Sequence, residues 1–386
     1  RRDRWDEVAG LPPVRRWCRC AAHDREETRS RAQKGRPAVE HVGMDVHKNQ
    51  TQICRLTEDG EILEERILTS RERFTALLRG RPRARVLLES CTESEWVARC
   101  LEALGHEVIV ADPNYAPMYA QRDRRVKTDR RDALALMEAC RRGTFLRAHR
   151  LSDARREVRA DVAAREILVR TRTRTVSLVR ALVRGEGLRV KSCATEAFLD
   201  KLADLTLPEA LRATLAPLVR TLELLNREIE GFDRGIEKRA ASDPVARRLC
   251  TAPGVGPLTA MAFVSVVDDV SRFPDAHKLE SYVGLVPREW SSGEKQRRGP
   301  ITKTGNTRMR SLLVQAAWVI WRSKTAETAS LRHWRHAVGK RRGRKVAVVG
   351  LARRLAGILY AMWRDGTDYD GSKVGRTAAL LPRAAV

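Results

Sequence analysis

Five short β-type runs at residues 41–112 constrain the fold more than any other feature of the chain. Each run is rich in apolar and β-branched residues, and helical patterns at about 71–79 and 94–104 follow the third and fourth runs. The runs are HVGMDV (41–46), TQICRL (51–56), EILEERILT (61–69), RVLLES (85–90) and EVIVAD (107–112). The Asp59-Gly60 pair between the second and third runs is a hairpin signal. Three consecutive strands, followed by alternating helices and strands, predict a mixed α/β sheet.

The chain then changes to a long helical pattern. From about Asp123 to Arg239, Gly and Pro are rare and charged residues are dense, which predicts an almost wholly helical region. Inside it, apolar residues alternate four and three positions apart and form one seam: Leu218, Leu222, Leu225, Ile229, Phe232 and Ile236. Such a seam fits a short coiled coil, and it fits equally a single amphipathic helix packed on its own domain.

A turn rich in Pro and Gly opens the C-terminal region. The segment 253–257 (PGVGP) precedes an apolar helical stretch at 258–267 and has the form of a helix-hairpin-helix turn, whose glycines let backbone N–H groups approach a phosphate. Turns of this kind between helices are common, so the motif alone indicates little about function. A basic, helical portion from Lys340 to Trp363 closes the fold.

The length of the chain indicates more than one domain. At 386 residues it exceeds the size at which a single hydrophobic core usually stops growing. We expect a basic arm without fixed structure at 1–38, a mixed-sheet domain at 39–150 and a helical, coiled-coil region at 151–245. A C-terminal domain at 246–370 and a tail at 371–386 follow.

The charge of the chain points to a nucleic-acid partner. Lys and Arg number 75 against 49 Asp and Glu, which gives a formal net charge of +26. The arginines between Arg147 and Lys191 would repel one another without a polyanion to neutralise them. Because no apolar stretch approaches the roughly 20 residues of a membrane span, we expect a soluble protein with no membrane partner. Eight scattered cysteines are typical of reduced thiols, which favours a cytoplasmic location.

Four acidic residues are the candidate catalytic and metal-binding groups. Asp45 and Glu89 end predicted strands, and Asp129 and Asp132 stand three apart in KTDRRDA (127–133), on one face of a helix. Singly, these acids can cap a turn, start a helix or pair with neighbouring arginines. Together they form an oxygen-rich cluster of the kind that pairs of divalent cations use in phosphoryl transfer. Mg²⁺, or Mn²⁺ in its place, is the expected cofactor, because clustered carboxylates without a cation favour protonation.

Two serines, Ser291 and Ser292, stand before Gly293 in a basic segment at 282–310 that we expect to be a loop. They lack the G-x-S-x-G context and a nearby histidine, so a hydrolase nucleophile elbow is not expected. The serines fit a turn, which spacing alone favours. They also fit a nucleophile that attacks phosphorus with help from surrounding arginines. The residues themselves leave both interpretations open.

Taken in order, the segments GMDVHK, LLES, KTDRRDA and WSSGEK…GPITKTGN resemble the DEDD transposases of insertion-sequence family one-ten, relatives of the Piv-type DNA invertases. The resemblance covers about residues 41–365. It implies a RuvC-like, ribonuclease-H-type domain, a helical coiled-coil insertion and a mainly helical C-terminal transposase domain. It assigns the family's acidic tetrad to Asp45, Glu89, Asp129 and Asp132. The family's nucleophilic serine corresponds to Ser292, with Ser291 as the alternate.

The resemblance further implies excision and insertion of a mobile element by metal-assisted strand cleavage and exchange. The partners would be DNA, at the element ends and the target, and a structured guide RNA that selects sequence by base pairing. A homodimer or homotetramer in a bacterial cytoplasm, associated with the nucleoid, is implied as well. The basic residues expected to contact nucleic acid are Lys127, Arg130, Arg131, Arg170, Arg172, Arg174, Arg297, Arg298, Lys303 and Arg308.

Two other functions stay open at this point. In the first, the chain is a junction-resolving endonuclease whose carboxylates cleave DNA with water, and the serine has only a structural role. In the second, it is a non-catalytic nucleic-acid-binding protein on a decayed ribonuclease-H scaffold. The intact set of four acids argues against the second.

Overall fold

A computed structural model describes residues 39–119, 128–292 and 295–376 of the chain. These residues form two compact units, divided between Arg150 and Leu151. Three sequence predictions lie wholly or partly outside the described residues: the basic arm at 1–38, the nucleic-acid contact of Lys127, and the tail predicted at 371–386, of which only 371–376 are described.

The first unit is built on one five-stranded mixed sheet in the order β3-β2-β1-β4-β5. Its strands are β1 (His41–Val46), β2 (Gln50–Leu56), β3 (Ile62–Leu68), β4 (Arg85–Glu89) and β5 (Glu107–Ala111). The first three strands are antiparallel neighbours, whereas β4 runs parallel to β1 and β5 runs parallel to β4. The helices are α1 (Arg71–Leu78), α2 (Ser94–Ala103) and α3 (Asp129–Arg142), with a 3₁₀ turn at Ala116–Tyr119. The predicted mixed α/β sheet is confirmed.

The two faces of this sheet are covered by different helices. Successive side chains of a strand point to opposite faces, so the odd and even positions of β1 meet different neighbours. Val42 and Met44 are fully buried in one core, against Phe74 of α1 and Val97 of α2. On the other face, α3 lies so close to β1 that a Cβ on Gly43 would be 2.8 Å from Met137 Cα. Glycine at position 43 therefore permits the close packing of α3 on the central strand.

The second unit is mainly helical. Its helices are α4 (Asp153–Gly185), α5 (Phe198–Ala203), α6 (Glu209–Ser242), α7 (Pro244–Leu249), α8 (Pro257–Val267), α9 (Ala276–Tyr282), α10 (Thr307–Arg322), α11 (Ala329–Arg342), α12 (Arg344–Asp365) and α13 (Gly371–Arg376). Short 3₁₀ turns lie at Val270–Arg272 and Ala326–Thr328. A two-stranded antiparallel sheet is formed by β6 (Pro287–Ser292) and β7 (Lys295–Ile301).

The apolar seam of α6 is covered by α4 of the same chain. Leu222, Ile229 and Ile236 are each 3% exposed or less, and the buried valines of α4 share two cores with residues of α6. The structure therefore agrees with an amphipathic helix packed in its own unit. The seam, which also fitted a short coiled coil, is occupied by α4 of the same chain.

The region from Asp123 to Arg239 is less continuously helical than predicted. Residues 143–152 and 186–197 lie outside helices. Gly143 ends α3 in the left-handed conformation, with a φ of 68°, and Gly187 has a φ of 73° after α4. Isolated glycines of this kind are common helix ends, because they adopt positive φ without a Cβ clash.

Helix α12 corrects one expectation about apolar segments. Among the described residues it is the one helix long and apolar enough to cross a membrane, by length and composition. Half of its apolar window is buried inside the unit, and Val348, Leu351, Leu355 and Leu359 are at most 1% exposed. In this fold α12 is the central helix of the largest apolar core.

The β6–β7 hairpin stands where a basic loop was predicted. Its strands are rich in charged residues and lack the apolar alternation that identifies a strand from sequence. Cross-strand packing supports it instead: a Cβ on Gly299 would lie 2.6 Å from the ring of Trp290, so the glycine leaves room for the indole. The C-terminal part of the chain is therefore mainly helical, with one small sheet.

Candidate active site

The close packing of α3 on β1 brings acidic residues together. Asp45 lies two positions after Gly43 and so points to the face that α3 covers. Asp129 and Asp132 occupy the first turn of α3, and both contribute to the electrostatic environment of Asp45. Asp45 and Asp132 are buried, at 8% and 6% exposed, whereas the side chain of Asp129 is 43% exposed. Three of the four predicted acids thus meet at one end of β1.

The start of α3 is fixed by local sequence. The side chain of Thr128 accepts a hydrogen bond from the backbone N–H of Arg131, which caps the helix. Asp129 and Asp132 follow in the first turn, where the partial positive charge of the helix N-terminus favours carboxylates. The capping residue therefore determines where these two acids are presented.

His47 completes a compact group with two of the acids. Its Nε2 atom lies 3.3 Å from Asp45 Oδ2 and 3.5 Å from Asp129 Oδ1. One ligand atom from each of these three residues lies within 4.8 Å of the others, which makes them a possible metal-binding set. Carboxylate oxygens with one imidazole nitrogen are a donor set that divalent cations accept. The residues present therefore fit a divalent ion.

Glu89 is brought to the same end of the sheet by strand register. In the parallel pair β1–β4, Gly43 faces Leu87 and Met44 faces Leu88. Continuing that register by one step puts Glu89 opposite Asp45, on the same face of the sheet. Glu89 is half-buried at the end of β4. Its backbone position is therefore that of a fourth acid beside Asp45.

The acidic cluster has an electrostatic cost. Burial raises the pKa of the Asp45 carboxyl above its usual range; His47 opposes this shift, and Asp132 and Asp129 reinforce it. Removing a carboxylate from water beside two others disfavours its ionised form. A cation bound between these groups would offset that cost.

Two further contacts hold α3 against the edge strand β3. Arg66 Nη2 donates a hydrogen bond to Asp129 Oδ2 at 3.2 Å, and Arg130 pairs with Glu64. Register explains the first contact, because Asp45 faces Gln52 and Gln52 faces Arg66 across the antiparallel strands. Arg66 thus belongs to the same row of residues as the central acid.

Sequence reasoning missed His47, Arg66 and Glu64. The signal for His47 was present, because a residue two positions after Asp45 tends to share its face of a strand. Arg66 and Glu64 had no comparable local signal. Their role depends on strand register and on the position of α3, which only the folded structure supplies.

The two serines lie in the second unit, at the end of β6. Ser291 pairs with Gln296 and Ser292 pairs with Lys295 across the hairpin. Gly293, which follows them, lies outside the described residues. The serines are therefore the last strand residues before the hairpin connection, rather than members of a loop.

The predicted nucleic-acid-binding residues fall into three groups. Four of them are exposed: Arg131, Arg174, Arg297 and Lys303. Residues that pair with acids are Arg130 with Glu64, Arg170 and Arg308 with Glu166, and Arg298 with Glu289. Arg172 is 8% exposed and donates to Asn226 Oδ1 at 3.1 Å and Glu196 Oε1 at 2.9 Å. Several of these arginines thus also stabilise the fold, and Arg172 and Arg308 do so between helices.

Two family models match separate parts of this chain. A model described as a transposase, of the DEDD type named for the element IS110, matches residues 42–186 and so spans the acidic site. A second, described as the transposase IS116/IS110/IS902 family, matches residues 246–332, which include the hairpin with the serines. Both models describe enzymes that cleave and rejoin DNA, and the fold and site belong to that class: the chain is a transposase.

Similar curated proteins narrow the class to a family. A probable family 20 transposase of Pseudomonas aeruginosa is 30% identical over 338 residues, covering 86% of this chain and 98% of that protein. The transposases of element IS1111A in Coxiella burnetii and of element IS1328 in Yersinia enterocolitica are each 28% identical. They cover 84% and 86% of this chain, and 89% and 99% of their own lengths. The chain belongs to the IS116/IS110/IS902 family of transposases, whose DEDD domain implies the use of divalent metal.

Proposed function

We propose that this transposase excises and inserts a mobile element, and that Asp45, Glu89, Asp129 and Asp132 are its catalytic acids in a RuvC-like domain. One observation carries the proposal: the ligand atoms of Asp45, His47 and Asp129 lie within 4.8 Å of one another, although Asp129 is distant in sequence. Mg²⁺ or Mn²⁺ held there would supply positive charge to the oxygens of a reacting phosphate. The five-stranded sheet order and the parallel β1–β4 pair support the RuvC-like assignment.

The residues around the acids have distinct parts in this proposal. The Asp45 and Asp132 carboxylates are buried, so their positions are restricted by the packing of α3 on β1. Arg66 holds one oxygen of Asp129 and leaves Oδ1 near His47. His47 supplies a nitrogen ligand or, when protonated, a counter-charge to the two aspartates. The chain thereby presents oxygens in a fixed arrangement before any ion binds.

The strand-exchange step is assigned to Ser292, with Ser291 as the alternate. In this step the serine Oγ attacks a phosphorus of the DNA backbone and loses its proton to solvent. A P–O bond to a deoxyribose oxygen breaks, and that oxygen takes up a proton. Because one phosphoester bond replaces another, a DNA hydroxyl can later attack the same phosphorus and release the serine. Arg297, which pairs with Trp290 across the hairpin, supplies positive charge nearby.

The remaining partners are proposed on charge and family grounds. The net charge of +26 supports binding of both DNA and a structured guide RNA, with base pairing selecting the sequence. The exposed members of the predicted set, Arg131, Arg174, Arg297 and Lys303, are the proposed backbone contacts. A homodimer or homotetramer associated with the nucleoid in the cytoplasm completes the proposal. Exposed Ile167 and Leu178 on α4 offer apolar surface for such contacts.

The test separates binding from chemistry in three variants of the full chain. Asp45→Ala and Ser292→Ala are expected to abolish excision of a donor element in cells and to leave DNA binding unchanged. Asp59→Ala, in the exposed β2–β3 turn, is the matched acidic control and is expected to excise normally. Retained excision in either active-site variant would remove that residue from the mechanism.

The water-dependent endonuclease is the second candidate. It is favoured by one observation, namely that the acidic site is formed entirely within the first unit, whereas the serines belong to the second. Denaturing gels of the reaction with end-labelled DNA distinguish the two. A protein–DNA adduct that Ser292→Ala loses supports the transposase mechanism with a serine nucleophile. Nicked DNA without an adduct, unchanged in Ser292→Ala and Ser291→Ala, supports hydrolysis by water.

A further inference from the structure

The turn between α11 and α12 concentrates exposed positive charge. Five basic residues stand within six consecutive positions, on both sides of Gly343, and all five are exposed. They are Lys340, Arg341, Arg342, Arg344 and Lys345. Gly343 has a φ of 82°, so the chain reverses between the helices at a glycine and presents the end of α11 and the start of α12 together.

This basic turn has no acidic counterpart. Helix α11 contains no Asp or Glu, and the single acid of α12, Asp365, lies at its opposite end. Within the described ranges, no carboxylate forms an ion pair with any of the five basic side chains. Arginines of α4, by contrast, do pair with acids: Arg165 Nε lies 2.6 Å from Asp233 Oδ1, and Arg155 Nη1 lies 2.5 Å from Asp243 Oδ2. The basic turn therefore carries uncompensated charge that an external anion would neutralise.

The start of α12 adds to this charge. Its first turn contains no acid, and no side chain caps its free N–H groups. A helix N-terminus carries a partial positive charge, so Arg344 and Lys345 stand where carboxylates are normally stabilising. Side chains, helix dipole and free N–H groups thus all favour an anion at the same place.

Aromatic contacts hold part of the basic turn in position. The Arg344 guanidinium lies 4.7 Å from the Trp318 ring centroid and 5.7 Å from that of Trp321. Arg335, which is 8% exposed, lies 4.7 Å from the Trp321 centroid, and its Nε has no hydrogen-bond partner. The contacts of Arg344 with these rings restrict its guanidinium group, which lowers the entropy lost when an anion binds.

We propose that the basic turn at 340–345 binds the sugar–phosphate backbone of duplex DNA, without reading its sequence. The proposal rests on the proposed function, which makes duplex DNA the substrate, and adds a second contact surface remote in sequence from the acids and the serines. Closely spaced cations match the dense negative charge of a duplex. The neighbouring Trp318 and Trp321 rings are already in contact with arginine guanidinium groups, so the unstacked bases of a single strand cannot stack on them without displacing an arginine.

The test is the salt dependence of DNA affinity in two matched triple variants of the full chain. Arg341→Ala/Arg342→Ala/Lys345→Ala removes three charges from the turn and leaves Arg344 on its tryptophans. Arg212→Ala/Arg220→Ala/Arg227→Ala removes the same number of charges from exposed positions of α6. Because each phosphate contact contributes about 0.9 to the slope of log K against log salt, the turn variant is expected to lose about 2 to 3 units of slope. Its affinity in ~0.1 M salt should fall on the order of 100-fold.

The controls identify which part of the account fails. Unchanged circular dichroism and melting temperature show that the turn variant is folded, as expected from its exposed side chains. A salt slope equal to that of the α6 variant would overturn the inference. A loss of affinity for RNA or single-stranded DNA, measured in parallel, without a loss of affinity for duplex DNA would overturn it as well. Wild-type protein that binds no duplex DNA in any salt would instead contradict the proposed function.

Discussion

Replacement of Gly43 with alanine tests how the acidic site is assembled. An added Cβ would lie 2.8 Å from Met137 Cα, and closer still to the Ala133 carbonyl oxygen and the Met137 backbone nitrogen. All three are backbone atoms of α3, so no side chain can rotate away to make room. Ordinary carbon contacts lie near 3.5 Å, which means that α3 must retreat from β1 by about 1 Å.

The movement of α3 away from β1 should lower both the unfolding free energy and the rate of DNA cleavage. Forcing an extra methyl group into a packed core costs about 1–3 kcal/mol of unfolding free energy. The same movement carries Asp129 and Asp132 away from Asp45, because both acids lie in the first turn of α3. A displacement of about 1 Å in a catalytic group lowers rate on the order of 100-fold. Gly43→Ala is therefore expected to lose cleavage activity while it remains largely folded.

The assay combines urea denaturation, calorimetric titration with Mn²⁺ and cleavage of end-labelled DNA. Gly231→Ala on α6 is the matched control, because its added methyl group meets no atom within 4 Å. An alanine in place of a helical glycine should stabilise the chain by about 0.5–1 kcal/mol and leave cleavage unchanged. Wild-type stability, Mn²⁺ affinity and cleavage in Gly43→Ala would refute the claim that close β1–α3 packing assembles the site.

Three other predictions follow from the same structure. The folded-state pKa of the Asp45 carboxyl is raised, so its ionisation destabilises the metal-free fold. The stability that the protonated carboxyl contributes is fully present below its ordinary pKa near 3.8 and is lost as pH rises through the raised folded-state pKa. Asp45→Asn should thus melt higher than wild type at pH 7 without metal and lose that advantage in acid, whereas an equal or lower melting temperature at pH 7 would contradict this. Arg66→Ala removes a positive charge that pairs with Asp129, so Mn²⁺ affinity should rise about threefold to tenfold, given Coulomb energies near 1 kcal/mol at such distances in water. Arg66→Lys keeps the charge and should retain wild-type Mn²⁺ affinity. A lower Mn²⁺ affinity in Arg66→Ala would refute the interpretation. Gly254 has a φ of 77°, and a Cβ added there would lie 2.7 Å from the Ala316 carbonyl oxygen. Gly254→Ala should therefore lower the unfolding free energy by about 1–3 kcal/mol in urea titrations. An unchanged unfolding free energy would contradict the packing of that turn on α10.

The first unit was largely predictable from sequence because its strands carry strong local signals. The run at 41–46 matches β1 residue for residue, and the other four strands agree within one or two positions at each end. Buried strands need continuous apolar and β-branched residues, which is the pattern that a sequence displays most directly. The placement of Asp45 and Glu89 at strand ends followed from the same runs.

The charged parts of the fold were harder to predict. β6 and β7 contain few apolar residues, and their pairing depends on tertiary contacts such as Trp290 over Gly299. The arginines of α4 indicated a nucleic-acid surface, yet Arg155 and Arg165 pair with aspartates more than 60 positions away in the chain. Such partners have no local sequence signal, because only the packing of α4 on α6 brings them together.

Hydroxyl-radical cleavage of the protein by bound Fe²⁺ tests the central claim most directly, because iron in the site cuts only the backbone near it. With ascorbate and peroxide, the full chain should be cut near the end of β1, the end of β4 and the start of α3, and excess Mg²⁺ should suppress all three cuts together. Fragments from only one of these segments, or cuts that persist in excess Mg²⁺, would show that Asp45, Glu89 and the α3 aspartates do not share a metal.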